Sequence, residues 1–152
     1  MSSDFSLTFT NVSQTSFTRR NLSWGEDPAL GTTHSIPDNT LQARVGVQSL
    51  KWSQTLSTVA TWNDAICEWQ APNGHWFGVK IHQPVQIFGI GTAPYYLVSY
   101  YDGNETKDYY QPSSEPGNPF TFPTSLGFQV KVVPAAGHAT LALSVNINDL
   151  PK

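Results

Sequence analysis

The chain has 152 residues, 12% of them charged, with 11 acidic side chains against 8 basic ones. This length is typical of one domain, and the acidic balance argues against a track for nucleic-acid phosphates. The single cysteine excludes an internal disulfide, and no window reaches the run of about 20 apolar residues that a membrane span needs.

The first part of the chain predicts short strands joined by turns. Residues 5–9 alternate between apolar and hydroxyl side chains, which is typical of a half-buried strand. A second short strand is expected before a loop over residues 21–28. Residues 41–51 and 55–62 alternate again, and a turn at residues 53–54 makes these two segments a predicted hairpin.

The second part predicts more strands of the same kind. Two further pairs of strands are expected, at residues 79–81 and 85–90 and at residues 126–133 and 139–147. Between them, residues 92–101 have the composition of a strand, although Pro94 leaves a helix start open. Residues 102–123, rich in Pro and Gly, are expected to form a loop.

Many short strands at close intervals indicate an all-β sandwich or barrel with little helix. No internal repeat or linker interrupts the pattern, so residues 1–152 are expected to form a single β domain. The N-terminus has no basic region and no apolar run, and therefore no signal peptide is expected. We expect a soluble protein, cytoplasmic or secreted by an unconventional route.

The sequence gives little indication of catalysis. Its four His residues lack metal-ligand spacing, and Gly89 and Gly91 form a lone GxG without the third glycine of a phosphate loop. No GxSxG nucleophile motif is present. Two close carboxylate pairs in expected loops are interpreted as solvated charges. We therefore expect a binding protein without enzymatic activity, cofactor or metal.

Aromatic residues are concentrated between residues 69 and 101, where two Trp, two Phe and four Tyr accompany a single Lys. Tyr96 and Tyr100 share a face whether this segment is helix or strand, and clustered Tyr faces can surround a quaternary ammonium. Indole and phenyl rings beside the turn at residues 71–74 suit a bilayer interface or a sugar face. Ordinary core packing of the same rings is the alternative.

Several of these residues form motifs of a known family. Residues 76–81 (WFGVKI), the YxxxYY spacing that starts at Tyr96, and residues 125–128 with 137–141 (SLGF and GHATL) occur in order. Residues 43–47 (ARVGV) add a fourth match. Together they make the chain resemble the actinoporin-like cytolysins, a β-sandwich family that also includes fungal lectins and lipid-binding proteins.

The resemblance implies a phosphocholine pocket for sphingomyelin-like lipids. By motif, the pocket positions fall on Val45, Thr61, Tyr96, Tyr100 and Tyr101. Ser23 is a looser match to a further pocket serine, and Trp76 matches the membrane-facing aromatic cluster of the family. The family's N-terminal pore-forming helix has no counterpart, because the first strand is expected to start near Phe5. Pore formation by this chain alone is therefore not expected.

Three binding hypotheses follow. In the first, the protein docks peripherally on membranes with phosphocholine headgroups, and Trp69, Trp76 and Phe77 anchor the rim of the pocket. In the second, it is a lectin on the same sandwich, with Trp24 or Trp76 stacked on a sugar. In the third, it is the binding component of a two-part cytolysin. Since a single pocket binds weakly, further copies of this chain in a homo-oligomer are also candidate partners.

Overall fold

A computed structural model describes residues 2–26, 33–55, 61–87, 90–91, 93–112, 117–136 and 141–152. Strands dominate these ranges, as the alternating sequence requires. The strands are β1 (Ser2–Asn11), β2 (Phe17–Glu26), β3 (Thr33–Ser35), β4 (Thr40–Leu41), β5 (Gly46–Thr55), β6 (Thr61–Gln70), β7 (Trp76–Ile87), β8 (Ile90–Gly91), β9 (Tyr95–Tyr101), β10 (Thr106–Tyr110), β11 (Phe120–Thr121), β12 (Gln129–Ala136) and β13 (Leu141–Asn148).

The strands form two sheets. One is six-stranded in the order β11-β12-β13-β1-β5-β3, and the other is seven-stranded in the order β10-β9-β7-β6-β2-β4, with β8 paired to β7. Strands β1 and β13 pair in parallel, whereas the neighbouring β1–β5 and β12–β13 pairs are antiparallel. The predicted all-β sandwich class is confirmed.

The core lies between the two sheets because the long central strands each have one apolar face. In β13, Leu141, Leu143, Val145 and Ile147 are at most 1% exposed, whereas the side chains between them are exposed or half-buried. The same alternation buries residues 5, 7 and 9 of β1. Burial of each such side chain is worth about 1.5–3 kcal/mol, which fixes the register of both strands.

The first strand and the final β12–β13 hairpin are confirmed, but the predicted hairpin at residues 53–54 is wrong. Strand β5 continues through these residues to Thr55 and pairs with β1 and β3 in the six-stranded sheet. Strand β6 belongs to the other sheet. The connecting residues 56–60 lie outside the described ranges. Alternation predicted both strands, but it carries no information about which sheet each joins.

Other boundaries also differ from the prediction, including the predicted strand at residues 41–51, which is divided into β4 and β5. Strand β2 continues to Glu26, where a loop was expected, and β7 runs without a break through Pro84. The register of β6 shifts between Thr61 and Asn63 opposite this part of β7, and such irregularities accommodate a residue that cannot donate to the ladder. Residues 95–101 are a strand, and the expected loop at 102–123 contains β10 and β11.

Helical structure in the described ranges is limited to one 3-10 turn, Thr124–Leu126. No helix in these ranges is long and apolar enough to cross a membrane.

Candidate functional site

The predicted tyrosine pocket is not assembled. Tyr96 and Tyr100 share one face of β9, as strand alternation requires, but this face is the inner one, and the two residues are only 2% and 7% exposed. Tyr101 is half-buried on the opposite face. The prediction that the three rings converge on an exposed headgroup is therefore wrong, because residues 96 and 101 are separated by an odd number of positions.

The two inward tyrosines have structural partners. The Tyr96 hydroxyl donates to the carbonyl oxygen of Asn118 at 2.6 Å, and the Tyr100 hydroxyl donates to a Glu105 carboxylate oxygen at 3.5 Å. Burial raises the pKa of Tyr96 to about 12, so its hydroxyl remains protonated. These bonds attach β9 to the loops on either side of β10.

The expected exposed aromatic loop tip is also wrong, because all three of its residues are buried. Trp69 and Phe77 face each other across the β6–β7 ladder on its inner side, and both are fully buried. Trp69 makes an edge contact with Phe9 of the opposite sheet at 5.7 Å between ring centroids. The chain does turn at residues 71–74 as predicted, but the rings of Trp69 and Phe77 beside the turn point into the core.

Trp76 lies on the outer face of the seven-stranded sheet, where other side chains cover it. The Arg20 guanidinium lies 4.2 Å from the centre of the Trp76 ring and also pairs with the Glu68 carboxylate. Tyr109 donates to the second oxygen of Glu68 at 2.8 Å. A Cβ on Gly78 would meet Glu68 at 2.6 Å and the Tyr109 hydroxyl at 2.8 Å, so glycine is required there. The cluster pins β10 to the sheet.

The remaining predicted pocket residues lie apart. The side chain of Thr61, at the start of β6, lies outside the description, as does that of Trp24. Ser23 is exposed on β2, and Val45, at 74% exposed, lies in the connection between β4 and β5. Of the predicted pocket residues, Val45 alone lines a described cavity.

This cavity, which we call the end pocket, has a volume of about 650 Å³. Its lining residues are Ser16, residues 38–40, Gln42 and residues 45–48. Most of these side chains are hydroxyls or carboxamides. Among the described lining residues, Asp38 carries the sole formal charge, and the exposed side chains of Val45 and Val47 provide apolar surface.

A tight turn at residues 42–46 forms one wall of the end pocket. The Gly46 amide donates to the Gln42 carbonyl at 2.9 Å, and a Cβ on Gly46 would overlap the Gln42 backbone. Arg44 has a positive φ of 71°, a conformation that costs a residue with a side chain about 1–2 kcal/mol. Its amide donates to the Ser13 carbonyl at 2.8 Å, which helps to hold this conformation.

Asn11 connects this turn to the loop between β1 and β2. Its fully buried amide nitrogen shares its two N–H donors among the carbonyl oxygens of Thr15, Leu41 and Gln42, at 2.7, 3.3 and 3.2 Å. Its carboxamide oxygen accepts from the backbone and hydroxyl of Ser13 at 3.0 and 2.6 Å. Because one side chain satisfies polar groups of both segments, the two walls are held at a fixed distance.

The polar groups of the end pocket are oriented before any ligand binds. The Asp38 amide donates to the Gln48 side-chain oxygen at 2.7 Å, and the Gln48 side-chain nitrogen donates to the Asp38 carboxylate at 3.3 Å. The Ser16 hydroxyl oxygen accepts from the Ala43 amide at 3.0 Å. A fixed carboxylate, carboxamide and hydroxyl beside exposed valines suit a small neutral ligand with several hydroxyl groups.

Asp38, Gln48 and Asn11 were not predicted as site residues. The turn chemistry around Asp38 was a usable signal that it would be exposed. The approach of the loops after β1 and after β4 depends on strand order, which the sequence pattern does not contain.

Comparison with known proteins identifies fold neighbours. The wild-type lectin of Xerocomus chrysenteron superposes with a TM-score of 0.57 at 15% identity, covering 97% of this chain and 99% of the lectin. A variant of the same lectin with three methionine substitutions gives 0.54 at 11% identity, with 97% and 98% covered. No family model matches the sequence, and no curated protein matches it. The likeness therefore supports the sandwich fold that the family resemblance implied, while membership of the family is not shown.

Proposed function

We propose that this chain is a carbohydrate-binding protein without enzymatic activity, and that it holds a neutral sugar in the end pocket. The observation that carries the proposal is the convergence of Asp38, Gln48 and Ser16 around one cavity with apolar surface from Val45 and Val47. The full-length fold likeness to a lectin supports the same class of ligand.

The chemistry of the pocket matches that of a sugar ring. The Asp38 carboxylate accepts from sugar hydroxyls in charge-assisted hydrogen bonds, and neighbouring carboxamides both donate and accept. The C–H face of the ring packs on the exposed valines at the rim. A negative charge at residue 38 without a lining cation disfavours anionic ligands such as sialylated or phosphorylated sugars.

The phosphocholine hypothesis has less support. No aromatic ring is among the described lining residues of the end pocket, and Tyr96 and Tyr100 face the core. A quaternary ammonium is bound best by ring faces, which this site lacks. Membrane docking through this headgroup, alone or as part of a two-component cytolysin, therefore becomes the competing outcome of the binding experiment.

A glycan array tests the proposal with wild-type protein and Asp38→Asn. The asparagine keeps the shape and one acceptor oxygen but removes the charge, so we expect at least a tenfold loss of binding to neutral glycans. Asp108→Asn, an exposed carboxylate on β10, is the matched control and should bind normally.

A vesicle assay distinguishes the lipid alternative. We expect equal recovery of the protein on phosphatidylglycerol vesicles with and without sphingomyelin. Sphingomyelin-dependent recovery, together with an array that contains no glycan hits, would overturn the carbohydrate proposal in favour of headgroup recognition.

A further inference from the structure

A second cavity adjoins the end pocket and shares one residue with it. This side pocket, of about 330 Å³, is lined by residues 14–16, residues 71–73, Gly127 and Phe128. Ser16 lines both cavities, and the segment 14–16 that ends at this residue lines the side pocket; we call this segment the common wall. A ligand that crosses this wall would contact both.

The common wall is fixed in place. Ser13, which precedes it, donates to Asn11 and accepts from the Thr15 amide at 3.2 Å. The Gln14 amide donates to the Asp149 carboxylate at 3.0 Å. Ser16 accepts from the Ala43 amide, which attaches the wall to the turn of the end pocket. The two cavities therefore keep a constant relative position through the Asn11 network.

The far wall of the side pocket is equally well supported. The turn at residues 71–74 is closed by the Ala71 amide, which donates to the His75 carbonyl at 2.8 Å. The His75 ring lies within hydrogen-bond distance, 2.8 Å, of the Leu126 carbonyl next to Gly127. These contacts join the β6–β7 turn to the segment before β12, so both lining segments of this wall move together.

The side pocket offers groups of the kind found in the end pocket. Gln14 and Asn73 are exposed carboxamides, and Pro72 presents an exposed apolar ring. The Asn73 side-chain oxygen accepts from the His75 backbone amide at 3.0 Å. The side-chain nitrogen of Asn73 is therefore the group that can donate to a ligand. None of the described lining residues carries a formal charge. This surface suits a second neutral sugar residue.

We propose that the two cavities are consecutive subsites, and that the ligand is an oligosaccharide of at least two sugar residues whose chain crosses Ser16. This inference rests on the proposed function and extends it from a single sugar to a chain. One residue occupies the end pocket, and the next lies between Gln14 and the turn at residues 71–74.

Titration calorimetry tests the proposal with defined probes. The probes are the methyl glycosides of glucose, galactose, mannose, N-acetylglucosamine and N-acetylgalactosamine, and neutral disaccharides that end in the same sugars. We expect at least one disaccharide to bind tenfold or more tightly than its terminal methyl glycoside, measured by competition where direct binding is weak.

Variants in the side pocket test whether the tighter binding of the disaccharide depends on contacts there. Gln14→Ala removes one carboxamide, and Asn73→Asp keeps the oxygen that accepts from His75 while removing the donating nitrogen. Each should weaken the disaccharide about five- to tenfold, as expected for one hydrogen bond, and leave the methyl glycoside unchanged. Asn21→Ala, an exposed carboxamide on β2, should change neither affinity.

Two results would overturn the inference in distinguishable ways. If disaccharides and methyl glycosides bind equally tightly and the Gln14 and Asn73 variants have no effect, the end pocket acts alone and the proposed function stands. If neither class binds and the glycan array is also negative, the proposed function itself is wrong.

Discussion

Two regions of this molecule have roles opposite to those that their composition suggests. The aromatic stretch at residues 69–101 stands out by composition, yet Trp69, Phe77 and the two tyrosines Tyr96 and Tyr100 lie between the two sheets. The segment at residues 36–48, which includes β4 and the start of β5, is unremarkable in composition, yet it forms most of the lining of the end pocket. In a β-sandwich, ring density on alternate positions indicates the core, whereas a fixed polar loop can form the site.

The two regions are also stabilised differently. Phe77 packs against the rings of Phe9, Phe17, Phe122 and Phe128, with ring centroids 5.6–6.4 Å apart. The 36–48 segment depends instead on backbone hydrogen bonds, a required glycine and the buried Asn11 side chain. Mutations in the first region should change stability, and mutations in the second should change ligand binding.

The largest expected effect is that of Phe77→Ala. Removal of a fully buried phenyl ring should lower the free energy of unfolding by about 3–5 kcal/mol, measured by urea denaturation. Tyr101→Ala, in the same stretch but half-buried on the other face, should cost clearly less. If Phe77→Ala retained full stability and lost membrane binding instead, the ring would have to be an exposed anchor.

Asn11→Ala should have the next largest effect and should affect both properties. It removes the side-chain donor to the carbonyls of Leu41 and Gln42 and the acceptor of the Ser13 hydroxyl, which we expect to cost about 2–3 kcal/mol. Because the segments at residues 12–16 and 41–46 are then joined only by the Arg44–Ser13 and Ala43–Ser16 hydrogen bonds, glycan affinity should fall as well. Full glycan affinity in a destabilised Asn11→Ala protein would contradict the role of this side chain in orienting the site.

A smaller contribution to stability, that of the Asp64 carboxylate, should be measurable as a pH dependence. Burial alone would raise the pKa of Asp64, but the hydrogen bond with His82 and the charges of His82 and Lys80 together lower it. A lowered folded-state pKa means that this carboxylate stabilises the protein above the unfolded pKa of about 4 and loses the effect as pH falls further. The difference in urea midpoint between wild type and Asp64→Asn should therefore shrink from pH 6 to pH 3. A difference that widens towards pH 3 would reverse the assigned sign.

The smallest stability effect is expected for Val45→Ala. At 74% exposure the change in unfolding free energy should stay within about 0.5 kcal/mol. Glycan affinity should nevertheless fall severalfold in a titration, because the sugar loses apolar contact area. Val133→Ala, at 39% exposure on the six-stranded sheet, serves as the control and should leave affinity unchanged.

Much of the fold could be predicted from local pattern. The alternation in β1, β12 and β13 gave the correct strands, and the spacing of short strands gave the correct class. The errors arose where a contact distant in sequence decides the structure. Strand β5 pairs with β1, which is distant in sequence, and β10, inside an apparent loop, is attached to the sheet through the bond from Tyr109 to Glu68.

The site was harder to predict for the same physical reason. Periodicity correctly placed Tyr96 and Tyr100 on one face, but it does not distinguish an inner face from an outer one when both carry rings. Val45 does line a cavity, although its neighbours there are Asp38 and Gln48 rather than the tyrosines. Two polar loops that meet through one buried asparagine leave no periodic signal.

The most direct measurement is the change in backbone amide NMR shifts as a neutral disaccharide is titrated into the protein. We expect the largest changes to be confined to Ser16 and residues 38–48, with smaller changes at residues 14, 72 and 73. Changes centred on β7 and β9, with residues 38–48 unaffected, would contradict this expectation and return the binding site to the aromatic strands.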